Sequence, residues 1–139
     1  MSVEVVDLNQ HPAMAPEAGH IKKVLYKSDG YHVWLHVDQP GTRGPMHKHT
    51  ADQTFFCLKG ECTVHFPDGS SKKVAPGAII VIPKGELYQL DNTGNGPMVL
   101  LGNRGEAYEN PRFTESGKVV QSSKPSQQDS NTRLNSESE

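Results

Sequence analysis

Residues 41–53 read GTRGPMHKHTADQ and decide the fold of this chain. Within them His47 and His49 are one residue apart, and side chains in an extended segment alternate between its two faces. Both imidazoles therefore point to the same side, where they can close on one metal ion. Gln53 follows a short turn further on and offers an oxygen ligand. The stretch predicts a candidate metal site.

A second stretch, residues 77–92, reads GAIIVIPKGELYQLDN. The two stretches together resemble the two sequence motifs of the cupin family. The first motif runs glycine, five residues, His-x-His, three or four residues, glutamate, six residues, glycine. The second runs glycine, five residues, Pro-x-Gly, two residues, histidine, three residues, asparagine. Every spacing matches, but Gln53 stands at the glutamate position and Tyr88 at the position of the last histidine ligand.

The resemblance implies a small jelly-roll β-barrel. The rest of the pattern supports an all-β fold class, because short strand-like runs alternate with turns rich in Gly, Pro, Asp and Asn, and no helical period is present. The predicted strands are residues 21–26, 31–37, 54–58, 62–66, 73–74, 78–82, 88–90 and 98–101.

A chain of 139 residues has room for one domain with a core of ordinary size. Residues 1–20 are predicted to form an N-terminal arm with one short edge strand at 3–6. Residues 21–113 form the predicted barrel. Residues 114–139 are rich in Ser, Gln, Lys and Asn, and they bury too little apolar surface to offset the entropy of ordering, so a disordered tail is predicted.

Charge and hydropathy limit the partners. The formal net charge is −2 and the basic residues are scattered, so no nucleic-acid partner is expected. No apolar run approaches the roughly 18 to 20 residues of a membrane helix, and no secretory signal is visible, so we expect a cytoplasmic protein that does not bind membranes. The cupin resemblance also implies a small-molecule substrate. It further implies a homodimer in which exposed strand edges are covered.

The resemblance implies a metal set of His47, His49, Gln53 and Tyr88, holding divalent iron, manganese, nickel or zinc. The two substitutions weaken that implication. An amide oxygen is a weaker donor than a carboxylate, and a phenol, whose ordinary pKa is near 10, binds metal well only as phenolate. The set is therefore a weak metal site, a metal site with a phenolate ligand, or a metal-free pocket.

Three functions remain open. The first is an enzyme acting on a small organic molecule through a metal held by His47 and His49, with oxygenase-like chemistry or with the Lewis-acid chemistry of an isomerase, lyase or decarboxylase. The second is a metal-free isomerase, epimerase or cyclase in which His47, His49 and Tyr88 are catalytic and move protons. The third is a binding module without catalysis, and Tyr88 can also simply fill the volume of the lost ligand.

Further side chains are predicted to contact the substrate. If Gln53 faces inward, Phe55 and Cys57 on the same strand do so too, and Val64 and Phe66 join them across the next hairpin. Such an apolar lining suits an aromatic or short aliphatic substrate.

Two arginines lie nearest the predicted barrel segments. Arg43 or Arg104 is suited to hold a substrate carboxylate, although an arginine on the surface is the ordinary case.

The second predicted strand carries His32, Trp34 and His36 on one face and aliphatic residues on the other. We expect the aliphatic face inside and the histidines outside. The opposite orientation would bring His36 to the site as a spare metal ligand.

Cys57 and Cys62 flank Lys59-Gly60. A two-residue hairpin there would place the two cysteines opposite each other, close enough for a strained disulfide. Two free, buried thiols are the alternative that a cytoplasmic location favours.

Overall fold

The computed structural model describes residues 3–11 and 21–120, and these ranges contain one short 3-10 helix, Leu8–Gln10, and eight strands. The strands are β1 (Ile21–Ser28), β2 (Tyr31–Asp38), β3 (Gln53–Lys59), β4 (Cys62–His65), β5 (Ser71–Val74), β6 (Ile79–Ile82), β7 (Gln89–Asn92) and β8 (Met98–Arg104). Each lies at one of the eight predicted runs. In this part of the chain no helix is long and apolar enough to cross a membrane.

The strands form two antiparallel sheets. One has five strands in the order β1-β2-β8-β3-β6, and the other has three in the order β5-β4-β7. Neighbours such as β2 and β8 are far apart in sequence, which is the pattern of a jelly roll and not of a simple meander. The predicted all-β jelly-roll class is therefore confirmed.

The two-residue hairpin considered at Lys59-Gly60 is not formed. β3 belongs to the five-stranded sheet and β4 to the three-stranded one, so the chain changes sheets at this turn. Gly60 adopts a φ of 84°, and a Cβ there would lie 2.4 Å from the carbonyl oxygen of Pro97, so this close crossing requires glycine.

Because the chain changes sheets, Cys57 and Cys62 are not a cross-strand pair. Both are free and buried in the core. Burial raises the pKa of the Cys57 thiol and raises that of the Cys62 thiol to about 12.

The orientation of β2 is the reverse of the expected one. Trp34 lies in the main core, and His32 and His36, on the same face, are buried as well. The aliphatic face, with Leu35 and Val37, belongs to a second apolar cluster. That cluster is covered by residues that include Leu8, Ile21 and Leu25, so both faces of β2 are buried and alternation alone does not show which one is inside.

The ends of the described chain differ from expectation in detail. Val3 and Val5 are exposed and belong to no strand, so the edge strand expected at residues 3–6 is not formed. Residues 12–20 and 121–139 lie outside the described part, and the predicted tail is untested there. Within its first residues, 114–120, a hydrogen bond from the Thr114 N–H to the carbonyl oxygen of Lys118 closes a turn.

A close contact between two strands sets the position of the core tryptophan. Trp34 on β2 pairs with Gly102 on β8, and Phe55 on β3 pairs with the same glycine from the other side. A Cβ at Gly102 would lie 2.5 Å from Cζ2 of the indole, so the ring lies directly over the glycine backbone. The Trp34 and Phe55 rings then meet edge to face at 5.6 Å.

We predict that Gly102→Ala lowers the free energy of unfolding by about 2 kcal/mol, because the methyl group displaces a fully buried indole. Urea unfolding followed by tryptophan fluorescence measures the change. Gly96→Ala is the matched control, since nothing lies within 4 Å of a Cβ there. Equal stability of the two variants would contradict the close contact.

Candidate functional site

Main-chain pairing brings the predicted site residues together. His47 and Tyr88 exchange two backbone hydrogen bonds of 3.0 Å each, although they are 41 residues apart. The intervening Lys48 pairs in the same way with Phe113, so the His-x-His segment is held on both sides. Gln53 begins β3 a few residues later. The histidines and Tyr88 thus occupy fixed positions at one place in the barrel.

A hydrogen bond joins the side chains of His47 and Tyr88, both of which are 1% exposed. His47 Nε2 lies 3.0 Å from the Tyr88 hydroxyl, and His47 Nδ1 lies 2.8 Å from the carbonyl oxygen of Pro45. A carbonyl only accepts hydrogen bonds, so Nδ1 carries the proton. In the neutral ring Nε2 is then the acceptor, and the tyrosine donates to it.

A buried guanidinium extends this network. Arg104 Nε donates to Gln53 Oε1 at 2.9 Å, and the Tyr88 hydroxyl lies 3.4 Å from the same oxygen. Arg104 Nη1 lies 3.2 Å from His32 Nε2, while His32 Nδ1 donates to the carbonyl of Glu106 at 2.7 Å. Arg104 is only 2% exposed, so the expectation of a surface arginine is wrong for this residue.

His49 also packs against the His47 ring, at 4.9 Å between ring centroids, and its ring lies 6.1 Å from that of Tyr88. Its Nδ1 is 3.6 Å from Oε2 of Glu106, a buried carboxylate. The other oxygen of Glu106 accepts from the Thr50 hydroxyl at 2.6 Å and from the Asn110 amide at 3.4 Å. Sequence reasoning missed Glu106, because it follows the last strand and lies outside both motif stretches.

The predicted lining residues face the interior. Phe55, Cys57 and Val64 are buried in the same core cluster as Tyr88, and Phe66 packs against that cluster. The Phe55 and Tyr88 rings are 6.1 Å apart. Val64 and Phe66 approach from the three-stranded sheet rather than across a hairpin. Their contact with a substrate stays a prediction.

Arg43 is not brought to this site. Its guanidinium lies 3.4 Å from Asp91 Oδ2 and 3.0 Å from His65 Nε2, and its side chain is half exposed. Asp91 and His65 lie on the face of the three-stranded sheet opposite Val64 and Leu90, which face the core. Arg43 therefore lies away from the core-facing side of this sheet, and its role in substrate binding stays a prediction.

No third histidine completes a metal set in the described residues. His36 is buried, but its Nε2 lies within hydrogen-bond distance, 2.7 Å, of Asp38 Oδ2. Across residues 3–11 and 21–120 no group of three or more His, Cys, Asp or Glu side chains is arranged to hold a metal ion.

Gln53 is a poor ligand for a divalent ion in this arrangement. Gln53 Oε1, the only amide oxygen in the predicted set, already accepts from the Arg104 guanidinium. A metal at that oxygen would lie beside the positive charge of Arg104, whereas the buried carboxylate of Glu106 lies at His49 Nδ1, at 3.6 Å.

Comparison with known proteins agrees with the fold. Residues 34–102 match the family described as Cupin domain. Auxin-binding protein T92 of Nicotiana tabacum is 31% identical over 80 residues, which cover 51% of this chain and 43% of that protein. Auxin-binding protein 1 of Arabidopsis thaliana is 25% identical over 108 residues, which cover 70% of this chain and 54% of that protein. The chain thus spans about half the length of these curated relatives.

A solved structure has the same architecture. An uncharacterized conserved protein with a double-stranded β-helix domain from Klebsiella pneumoniae aligns with a TM-score of 0.65 at 17% identity, covering 77% of this chain and 93% of that one. The jelly-roll topology, the two motifs at matched spacing and the match over residues 34–102 agree with one another. The chain therefore belongs to the cupin superfamily.

Proposed function

We propose that this chain is a metal-independent cupin enzyme that acts on a small organic molecule by proton transfer between Tyr88 and His47. The observation that carries the proposal is the hydrogen bond of 3.0 Å between the Tyr88 hydroxyl and His47 Nε2, made by two fully buried side chains. A hydroxyl held against an imidazole is an arrangement that passes a proton in either direction.

The surroundings suit the two groups to this role. The carbonyl of Pro45 holds the His47 ring in one tautomer, so Nε2 is ready to take the proton of Tyr88. The tyrosine oxygen then takes a proton from the substrate as a base. When Tyr88 gives that proton back to the substrate, at the same carbon or at a neighbouring one, His47 returns its own proton to the tyrosine oxygen. Arg104, whose guanidinium donates to Gln53 beside Tyr88, stabilises negative charge that develops on the substrate nearby.

This mechanism is an alternative to the metal-dependent functions predicted for the same residues. Oxygenase-like chemistry and Lewis-acid isomerase or lyase chemistry both need a cation held at His47 and His49. The charge of Arg104 at Gln53 argues against a cation that Gln53 helps to hold.

A panel of small ketones, hydroxy acids and sugars in D₂O tests the proton transfer. We expect NMR to show deuterium incorporation or isomerisation of at least one compound in the presence of a chelator. Tyr88→Phe and His47→Gln should each lower the rate about 100-fold, because each removes one member of the pair. His65→Gln, at a histidine outside the site, is the control. An unchanged rate in Tyr88→Phe would refute the assignment.

The metal content of the purified protein tests separately whether these side chains bind a divalent ion. We predict well under one equivalent of iron, manganese, nickel or zinc in untagged protein purified without chelators. The double variant Gln53→Glu/Tyr88→His should bind more metal, because it restores a carboxylate and a third imidazole. Elemental analysis measures both. Near-stoichiometric metal that disappears in His47→Ala/His49→Ala would overturn the metal-independent proposal.

Binding without catalysis is the second candidate, and one observation favours it. The names of the tobacco and Arabidopsis relatives state that those proteins bind auxin. A small-ligand-binding cupin predicts saturable binding with no conversion of the ligand by NMR. Steady product formation that depends on Tyr88 separates the enzyme from this alternative.

We also propose a homodimer formed along β6, the edge strand of the five-stranded sheet. Ile79 and Val81 on its outer face are 58% and 63% exposed. Exposed apolar side chains on an edge strand call for a covering partner. Light scattering should give twice the chain mass, falling to one chain in Ile79→Lys/Val81→Lys. The control Lys72→Glu on β5 should stay dimeric, and a monomeric parent protein would contradict the proposal.

A further inference from the structure

The connection between β7 and β8, residues 93–97, contains the one Asn-Gly pair of the chain, Asn95-Gly96. Asn95 is exposed and lies within a bend that spans residues 94–96. A Cβ at Gly96 would meet nothing within 4 Å, so no packed atom stands on that side of the residue. The Asn95 side chain is thus open to water, and the backbone beside it is not crowded.

An asparagine followed by a glycine places an electrophile next to a nucleophile. The electrophile is Cγ of the Asn95 side-chain amide, and the nucleophile is the main-chain nitrogen of Gly96. Because one chain holds both atoms, their reaction is intramolecular and has an entropic advantage over attack by water. Glycine hinders the approach least, since it has no Cβ and adopts the widest range of backbone angles.

The buried side chain of Asn92 holds the main chain on both sides of Asn95. Its Oδ1 accepts a hydrogen bond of 2.9 Å from the Gly94 N–H, and its Nδ2 donates one of 3.0 Å to the Gly96 carbonyl. The same Nδ2 donates to the Asp38 carbonyl at 2.9 Å, which ties the connection to the end of β2. The length of main chain between the two anchored groups is therefore set by a single residue, Asn95.

The chain beyond Asn95 packs closely against the turn at which β3 passes to β4. A Cβ on Gly60 would lie 2.4 Å from the Pro97 carbonyl oxygen and 2.9 Å from Met98 Cα. Met98 is fully buried at the start of β8, so this part of the backbone has no room to move outward or inward. A change in the length of the main chain at Asn95 is thus transmitted to a tightly packed crossing.

We propose that Asn95 is a site of spontaneous covalent modification, at which the side-chain amide is lost and the main chain is rearranged. The Gly96 nitrogen gives its proton to water and attacks Cγ of Asn95. The new C–N bond closes a succinimide ring, and the side-chain nitrogen takes up a proton and leaves as ammonia. Water then opens the ring at either of its carbonyls, which gives aspartate or isoaspartate at position 95.

The two products differ in their effect on the fold. Aspartate adds a negative charge to an exposed side chain, and a single surface charge changes stability little. In isoaspartate the main chain runs through the former side-chain carbonyl and is one carbon longer. That carbon lies between the Gly94 N–H and the Gly96 carbonyl, both of which Asn92 binds. The isoaspartate form therefore cannot keep both hydrogen bonds together with the close contact at Gly60.

Incubation of the full chain at mildly alkaline pH tests the site. We expect peptide mapping by mass spectrometry to show two products at position 95 that share one mass, because both replace the amide NH₂ by OH. Gly96→Ala should slow their formation about ten-fold, since the methyl group hinders the attack. Asn110 is the internal control, because the nitrogen of Pro111 carries no proton and cannot close the ring. Equal rates in the parent and Gly96→Ala would overturn the assignment, as would an intact Asn95 when a synthetic peptide of residues 91–99 has reacted.

The stability of the separated products tests the structural consequence. Asn95→Asp changes the charge alone and should unfold at the same urea concentration as the parent, as followed by the fluorescence of Trp34. The isoaspartate form should unfold at a lower urea concentration, because its longer main chain disturbs the contact with Gly60. Equal midpoints for the isoaspartate form and Asn95→Asp would overturn this consequence. Neither experiment uses a substrate, so the outcomes are independent of the catalytic function proposed above.

Discussion

The contact between the Arg104 guanidinium and Gln53 Oε1 governs the chemistry of the barrel interior. Position 53 is where the cupin motif most often has a glutamate, and a glutamate there would form an ion pair with this arginine. The amide instead accepts one hydrogen bond of 2.9 Å and stays neutral. The oxygen is thereby committed to a fixed organic cation, and the neighbouring Tyr88 and His47 are left to bond to each other.

This arrangement links the two departures from the cupin motif. Replacing glutamate with glutamine lowers the negative charge available to a metal, and replacing histidine with Tyr88 removes a neutral nitrogen donor. Arg104 supplies positive charge close to the same place from the end of β8. Together these features disfavour a divalent cation at Gln53, because such a cation would place two positive centres around one amide oxygen.

The fold was predictable from the sequence because motif spacing and turn residues report directly on strands. The interior was only partly predictable. The motif residues His47, His49, Gln53 and Tyr88 do lie together, since their spacing reflects the backbone path. Arg104 and Glu106 belong to no motif, and only tertiary packing brings them to the site. The inward face of β2 was predicted wrongly because both of its faces are buried. An alternating pattern then does not show which face points into the main core.

The raised pKa of Cys62 affects how readily the core of the protein is oxidised. Peroxides and disulfides react with the thiolate and hardly at all with the neutral thiol. With a pKa of about 12, on the order of one Cys62 side chain in ten thousand is ionised at pH 8. Cys57 lies in the same core, and burial raises its pKa too. The sulfur atoms of the core are therefore protected from oxidative damage by their own protonation as well as by the surrounding side chains.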